Sequence, residues 1–327
     1  MTAASANWLD AFSRTEIDSL LERNAVRAWL SIAINWGLVF GAFALVAWAP
    51  NPLTIVLALF IIGARQLGGA IMMHEAAHRA LFKSRALNDW VGNWLCAFPV
   101  WGDLRPYRAY HLQHHAKTGT LEDPDLGLAA PFPVTRASLR RKIWRDLSGQ
   151  TGWKRAKATF RRDLGISRGR VARKEGAGTT AFHGVIITNL VLLAILSLAG
   201  RPALYLLWVV AWLTTYSLAM RIRSIAEHGM VPDNADELRN TRTTLANWLE
   251  RLFIAPNRVN YHLEHHLLMT VPLYNLPRMH RMLRDRGILA RACVTRGYRD
   301  VLRQASSRPE TAAAPAHDPA VANRPPF

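Results

Sequence analysis

The sequence predicts an all-α integral membrane protein, with four transmembrane helices in two hairpins and a cytosolic helical cap. Half of the 327 residues are apolar, yet the formal net charge is +18. Four stretches have the apolar character of a membrane span, and most of the histidines cluster where these stretches meet basic sequence. Membrane proteins combine apolar spans with Lys/Arg-rich loops on one side, whereas soluble enzymes rarely combine these features.

The predicted spans cover about residues 29–49, 53–73, 182–199 and 203–220. The first is 21 residues long without a formal charge, enough to cross a hydrocarbon core of roughly 30 Å. Prolines after the first and third spans predict short outer turns, because proline cannot continue a helix. Arg65 falls inside the second span, and we expect it to snorkel or to pair within the bundle.

Other segments are predicted to lie on the membrane or outside it. Trp8–Trp29 has the pattern of one amphipathic helix, while Asn88–Trp101 and Asn247–Ala255 are apolar but too short to span. Residues 1–305 are expected to form one domain. Residues 306–327 are rich in Pro and Ala, which predicts a disordered tail.

The charge distribution predicts the orientation. The outer turns contain one basic residue, Arg201, whereas residues 101–180 contain 17 Lys/Arg and residues 221–327 contain 16. By the positive-inside rule, both large segments and both termini are cytoplasmic, at the inner membrane of the cell. The clustered histidines then all lie on that side.

Nine of the twelve histidines fall into four clusters. They are His74 and His78 in H-E-A-A-H, His111, His114 and His115 in H-L-Q-H-H, His228 in A-E-H-G, and His262, His265 and His266 in H-L-E-H-H. Spacing of i, i+3, i+4 places imidazoles on one helical face, where neutral rings can share a metal. Nine are too many for one tetrahedral ion and suit two metals.

The residue types narrow the chemistry. Imidazole suits Zn, Cu, Fe and Ni, so the ligand type alone does not choose the metal. Two irons held by histidines imply O₂ activation, because hydrolysis needs only one open zinc position. Four carboxylates are suited to accept hydrogen bonds from ligand N–H groups and so to fix ring orientation. They are Asp123, Asp125, Glu227 and Glu264.

These motifs, in this order over about Trp29–Met282, resemble the membrane fatty acid desaturase and hydroxylase superfamily. The stretch R-I-R-S-I-A-E-H-G is similar to a bacterial subgroup that includes rhizobitoxine-type desaturases. The resemblance implies a mushroom-shaped helical fold and two iron ions held by the nine clustered histidines. It also implies O₂-dependent removal of two hydrogens from a fatty acyl or similar aliphatic chain.

The sequence departs from acyl-CoA desaturases at two places. The first box is H-x-x-x-H rather than H-x-x-x-x-H. Those enzymes also place an asparagine that holds a metal-bound water four residues before the lone histidine, where this chain has Ser224. Ser224 could bind a water, and these departures leave the acyl-CoA substrate class open.

Each turnover of such an enzyme needs two electrons. With two isolated cysteines the chain encodes no ferredoxin-like cluster, so a separate ferredoxin-, rubredoxin- or cytochrome-type donor is implied. The basic cap suits an acidic carrier or anionic lipid. Its arginine runs favour the membrane surface, and no nucleic-acid partner is expected.

Two alternatives stay open. A hydroxylase or ketolase of a lipid, sterol or carotenoid would use the same metal ligands. An intramembrane H-E-x-x-H metalloprotease would use Glu75 as general base, although it leaves seven clustered histidines unexplained. His183, His280 and His317 are interpreted as structural or incidental. The sequence leaves open the substrate, its carrier, the regiochemistry and the oligomeric state.

Overall fold

The computed structural model describes residues 8–165 and 179–310. Within these residues the chain forms helices α1 (Arg14–Leu21), α2 (Ala25–Trp48), α3 (Pro52–Ala77), α4 (Arg85–Val91), α5 (Leu104–Lys117), α6 (Leu126–Ala129), α7 (Arg136–Leu147), α8 (Gln150–Asp163), α9 (Thr179–Leu198), α10 (Tyr205–Leu213), α11 (Thr215–His228), α12 (Trp248–Phe253), α13 (His262–Leu267), α14 (Leu276–Asp285) and α15 (Gly297–Ala305). Two short strands, β1 (Thr243–Leu245) and β2 (Val294–Arg296), complete it.

The first hairpin consists of α2 and α3, which pack along each other. Asn51 caps α3 by accepting hydrogen bonds from two backbone amides, and Pro52 occupies the first turn, where its missing N–H costs nothing. The helix continues to Ala77, beyond the predicted end of the second span at about 73. That extension carries the first histidine box directly into the cap.

The prediction of one amphipathic helix over Trp8–Trp29 is wrong, because three separate helical elements share this segment. A 3₁₀ turn covers Trp8–Ala11, and α1 and α2 follow it. Ser13 caps α1 in a reciprocal pair with Glu16, and Asn24 caps α2, so two helix starts interrupt the predicted pattern. The first apolar helix therefore begins at Ala25, four residues before the predicted boundary.

The second hairpin pairs α9 with the stretch formed by α10 and α11. This stretch contains a break that the apolar pattern does not reveal. The predicted fourth span is interrupted at Thr214, whose backbone has φ −114° and ψ −87°. The next residue, Thr215, turns its hydroxyl onto the Leu59 carbonyl of α3 at 2.6 Å. Gly63 permits this close approach, because a Cβ there would lie 2.2 Å from the Thr215 hydroxyl oxygen. Contact with α3 thus competes with regular helix geometry.

By length and composition, three helical stretches of the described residues can cross a membrane: Ala25–Trp48, Pro52–Ala77 and Pro202–His228. Phe182–Leu198 is apolar but shorter. The protein is therefore a mostly helical membrane protein. Buried Arg65 donates from Nη2 to the Leu252 carbonyl of α12 at 2.6 Å, so its guanidinium has a polar partner within the protein.

The two segments expected to lie on the membrane pack against α3. Residues of Asn88–Trp101 form the end of α4, a π-helical stretch (Gly92–Ala97) and a 3₁₀ turn (Phe98–Val100). Most of these side chains are buried or half-buried. Asn247–Ala255 contains α12, which contacts α3 as well.

The mostly helical structure agrees with the predicted all-α class, and the described residues contain one small sheet, in which β1 and β2 pair in parallel with Thr243 opposite Val294. Strands of three residues are too short to leave an alternating pattern in the sequence. Their pairing joins the segments that flank α13 and α14. Residues 306–310, predicted as the start of the tail, include Arg308, whose N–H donates to the Val134 carbonyl at 3.2 Å. Residues 311–327 and His317 lie outside the described part.

Candidate metal centre

All nine histidines of the four clusters converge in one region, and four helices bring them there. His74 lies in the last turn of α3, and His78 is the residue that caps it. Helix α5 carries the second box, α11 ends at His228, and α13 carries the third box. The two helices that continue from apolar stretches, α3 and α11, thus meet α5 and α13.

The first group contains five histidines: His74, His78, His111, His115 and His265. One ring nitrogen of each lies within 4.8 Å of those of the others. Nε2 of His115 is 3.1 Å from Nε2 of His111 and 3.0 Å from Nε2 of His265. Two nitrogens bound to one metal at about 2.1 Å, at right angles, lie about 3.0 Å apart, so this spacing fits two ligands of one ion.

The second group contains four histidines: His114, His228, His262 and His266. Here Nε2 of His262 lies 2.8 Å from Nε2 of His228. The two groups are neighbours, because the rings of His115 and His266 stack with their centroids 4.1 Å apart. The arrangement suits two ions held side by side.

The H-x-x-H-H spacing divides its histidines between the groups. In α5, His111 and His115 belong to the first group while His114 belongs to the second. In α13 the division is reversed, since His262 and His266 belong to the second group and His265 to the first. Each cap helix therefore contributes to both groups.

The electrostatics of the imidazoles fit a metal rather than a buried hydrogen-bond network. Burial and neighbouring imidazoles hold the pKa of His262 and His265 well below the ordinary value, which keeps the rings neutral. Among the described residues, no hydrogen-bond partner reaches either ring nitrogen of His74 or His78, although all four atoms are buried. Buried polar atoms without partners are costly, and coordination of a metal would satisfy them.

Asp123 orients one imidazole of the second group. Its carboxylate accepts a hydrogen bond from Nδ1 of His114 at 2.7 Å, and both side chains are buried. Asp125 lies 3.8 Å from the same nitrogen and accepts a hydrogen bond from the Tyr110 hydroxyl. Burial lowers the pKa of His114, but the bond to Asp123 and the charge of Asp125 outweigh it and raise that pKa above the ordinary value. Nδ1 is thus committed to Asp123, and Nε2 remains for a metal.

Glu227 occupies the corresponding place beside His262. One carboxylate oxygen lies 3.6 Å from Nδ1 of His262 and accepts a 2.6 Å hydrogen bond from Nε of Arg223. The buried guanidinium balances the charge of the buried carboxylate. Ser224, the position compared with the water-binding asparagine, lies one helical turn before His228 and is half-buried.

Glu264 does not support a clustered histidine as predicted. Its carboxylate pairs with Nδ1 of His280 at 2.6 Å and accepts a hydrogen bond from the Thr243 hydroxyl. Glu264 is fully buried, so it ties α13 to β1 and α14. His280, interpreted as structural or incidental, is therefore a buried partner of the third box.

Two further residues were missed by sequence reasoning. Tyr107 stacks on His111, with ring centroids 5.3 Å apart and an interplanar angle of 10°. Its position one turn before the second box is a signal that could have identified it. Arg223 lies four residues before Glu227, a spacing typical of helical ion pairs. His183, by contrast, is exposed.

The geometry defines a class of protein: a mostly helical membrane protein in which nine clustered histidines form two adjacent groups that could hold metal ions. The sequence profile of the fatty acid desaturase family matches residues 47–298. The chain belongs to this family, whose members are di-iron enzymes. It is an oxidoreductase, a membrane desaturase with a di-iron type of site.

Individual relatives agree with this assignment. The chain is 31% identical to dihydrorhizobitoxine desaturase of Bradyrhizobium elkanii over 258 residues, which cover 74% of this chain and 70% of the relative. It is 22% identical to an sn-1 oleoyl-lipid 12-desaturase of a Picosynechococcus species, covering 82% and 79% of the two chains. A ferredoxin-dependent sn-1 acyl-lipid omega-3 desaturase of a Synechocystis species is 26% identical over 38% of this chain and 33% of its own.

Proposed function

We propose that this protein uses two iron ions and O₂ to introduce a double bond into a fatty acyl or similar aliphatic chain. The nine clustered histidines are the metal ligands, five for one ion and four for the other. The observation that carries this proposal is the convergence of nine mostly buried imidazoles in two adjacent groups. Six of their buried ring nitrogens have no hydrogen-bond partner among the described residues. Bound iron would supply the O₂ activation and the oxidising power.

The protein residues have positioning roles in this proposal. Asp123 holds His114 in the tautomer that leaves Nε2 free, and Glu227, balanced by Arg223, faces Nδ1 of His262. Asp125, 3.8 Å from Nδ1 of His114, adds a second carboxylate beside that ring. Ser224 is available to hold a water near His228. Burial keeps the imidazoles neutral and excludes bulk water from the metal ions.

An apolar groove supports an aliphatic substrate. It has a volume of about 440 Å³ and lies between α3, α11 and α12. Leu57, Phe60, Leu218, Ile222 and Phe253 are among its lining residues. Its lining extends along α11 to Ile222, which lies six residues before His228 on the same helix. Because two of its walls are apolar spanning helices, a chain in the bilayer could enter it without crossing water.

The relatives described above include a dihydrorhizobitoxine desaturase and an sn-1 oleoyl-lipid 12-desaturase. We therefore propose a lipid or lipid-like substrate in the membrane and a separate ferredoxin-, rubredoxin- or cytochrome-type electron donor. Four spans in two hairpins, with the cap and both termini on the cytoplasmic side of the inner membrane, are proposed from the distribution of Lys and Arg.

Metal analysis and product analysis together test the proposal. Purified full-length protein should contain near two irons per chain, and membranes from cells with the gene should contain a product that lacks two hydrogens. A product with an added oxygen would identify a hydroxylase instead. One zinc per chain, with no new lipid, would contradict the proposal. His266→Ala should abolish the product while the protein still inserts into the membrane.

A further inference from the structure

Helices α7 and α8 form a hairpin whose inner side is fixed to the second half of the bundle. Asp146 of α7 is fully buried and pairs with Arg221 of α11 at 2.5 Å. Arg155 of α8 donates to the Trp212 carbonyl at 2.5 Å and lies over the rings of Trp212 and Tyr216. The hairpin is therefore a rigid part of the fold.

Helix α8 packs against two apolar helices. Its first turns contact the end of α10 at the Thr214 break, where a Cβ on Gly152 would lie 2.1 Å from the Leu213 carbonyl oxygen. Near its other end, Phe160 contacts Phe182 at the start of the apolar part of α9, with ring centroids 6.1 Å apart. The hairpin of α7 and α8 is therefore in direct contact with helices apolar enough to lie in a bilayer.

The outer side of the hairpin combines exposed aromatic rings with uncompensated positive charge. Trp144 is 68% exposed, Trp153 is 59% exposed and Phe160 is 45% exposed. Each of the two helices contains five basic residues and a single aspartate. Both aspartates are buried: Asp146 pairs with Arg221, and Asp163 pairs with Arg162 and accepts a hydrogen bond from the Trp101 indole N–H. Of the ten basic residues, only Arg162 therefore pairs with an aspartate of the hairpin.

A basic groove lies on α7. It has a volume of about 690 Å³ and is lined by Ser138, Arg140, Arg141, Trp144, Arg145 and Gln150. Guanidinium groups bind phosphate oxygens through paired N–H donors, and tryptophan favours the boundary between headgroups and acyl chains. The groove thus offers both kinds of contact that a phospholipid headgroup makes.

We propose that the α7–α8 hairpin is an interfacial binding surface for anionic phospholipid. The arginines of α7 bind headgroup phosphates, while Trp153 and Phe160 enter the acyl boundary beside α9. The exposed aromatic rings and the contact with two apolar helices favour a lipid leaflet over an acidic protein, which would have no counterpart for these rings. This surface is separate from the metal centre and does not depend on the substrate of the enzyme.

Native mass spectrometry of the full-length protein tests the headgroup site. Detergent-solubilised protein is offered equal amounts of phosphatidylglycerol and phosphatidylcholine. We expect wild type to retain phosphatidylglycerol preferentially, and R140Q/R141Q/R145Q to lower that preference at least about fivefold. The matched control R296Q/R299Q/R303Q removes three exposed arginines at and near α15 and should keep the preference.

The proposal would be overturned by an unchanged preference in the α7 variant or by an equal loss in the control. Displacement of the lipid by an acidic peptide would overturn it as well. Displacement of bound phosphatidylglycerol by millimolar inorganic phosphate would identify a free-phosphate site and would also overturn it.

Fluorescence in nanodiscs tests the surface without relying on the triple variant. The difference in emission between wild type and Trp153→Phe reports Trp153. We expect this difference to be quenched by brominated phosphatidylglycerol and to resist aqueous iodide. Quenching by iodide alone would place Trp153 in water and contradict the proposal.

Discussion

Replacement of His280 by alanine should loosen the third histidine box although His280 belongs to neither group of metal-type ligands. His280 pairs with the fully buried carboxylate of Glu264 at 2.6 Å, and Glu264 sits between His262 and His265 in α13. In His280→Ala the carboxylate keeps only the Thr243 hydroxyl. The variant also loses the contact of the His280 ring with Tyr261, whose centroid lies 5.2 Å away.

The expected cost follows from the burial of Glu264. Removal of a hydrogen-bond partner of a buried polar group costs about 1–3 kcal/mol, and the full burial of Glu264 places His280→Ala at the upper end. For a chain of 327 residues, 1 kcal/mol corresponds to roughly 1.5 °C in the melting temperature. The apparent Tm in detergent should therefore fall by roughly 4 °C.

The assay is thermal unfolding together with iron content per chain. Iron content should also fall, because α13 contributes to both groups. His183→Ala is the matched control, since His183 is an exposed histidine on α9 and should retain wild-type Tm and iron. His280→Gln can still donate an N–H to Glu264 and should recover part of both losses. Equal Tm and equal iron in His280→Ala and His183→Ala would refute the reasoning.

Three further predictions address packing, pH and substrate access. Gly63→Ala should lower stability by about 1–3 kcal/mol through overpacking, measured by thermal unfolding, whereas Gly41→Ala, with no atom within 4 Å of the added Cβ, should not. Burial lowers the pKa of His262 below its unfolded value of 6.5. The metal-free protein should therefore lose stability as the pH falls below about 6.5. A Tm that is flat or rising from about pH 7 to pH 5 would contradict this. Leu218→Trp should fill the apolar groove and reduce product without loss of iron, while Leu206→Trp, on an exposed part of α10, should leave product unchanged.

The apolar helices and the histidine clusters could be predicted because both depend on short-range sequence patterns. A run of apolar residues reports its own tendency to span a bilayer, and an i, i+3, i+4 spacing reports a shared helical face. Asp123, eight residues after the second box, was predicted because a carboxylate can accept a hydrogen bond from a ligand imidazole and fix its orientation. The contact between Asp123 and His114 at 2.7 Å agrees with that expectation.

The remaining features depend on contacts between distant segments. The break at Thr214 arises where Thr215 meets α3 beside Gly63, 152 positions away in the sequence, and the apolar pattern is continuous through it. Glu264 pairs with His280 because the pairing of β1 with β2 folds α14 back onto α13. A pattern within either segment carries no information about such a partner.

The division of the histidines also shows why the two groups should behave as one unit. If each helix served one group, either metal could be lost while the other remained bound. Instead α5 gives His111 and His115 to the first group and His114 to the second, and α13 reverses this division through His265. A shift of α5 or α13 therefore moves ligands of both groups at once. The supports of α13, including the pair between Glu264 and His280, consequently stabilise the whole centre rather than the group to which the nearest histidine belongs.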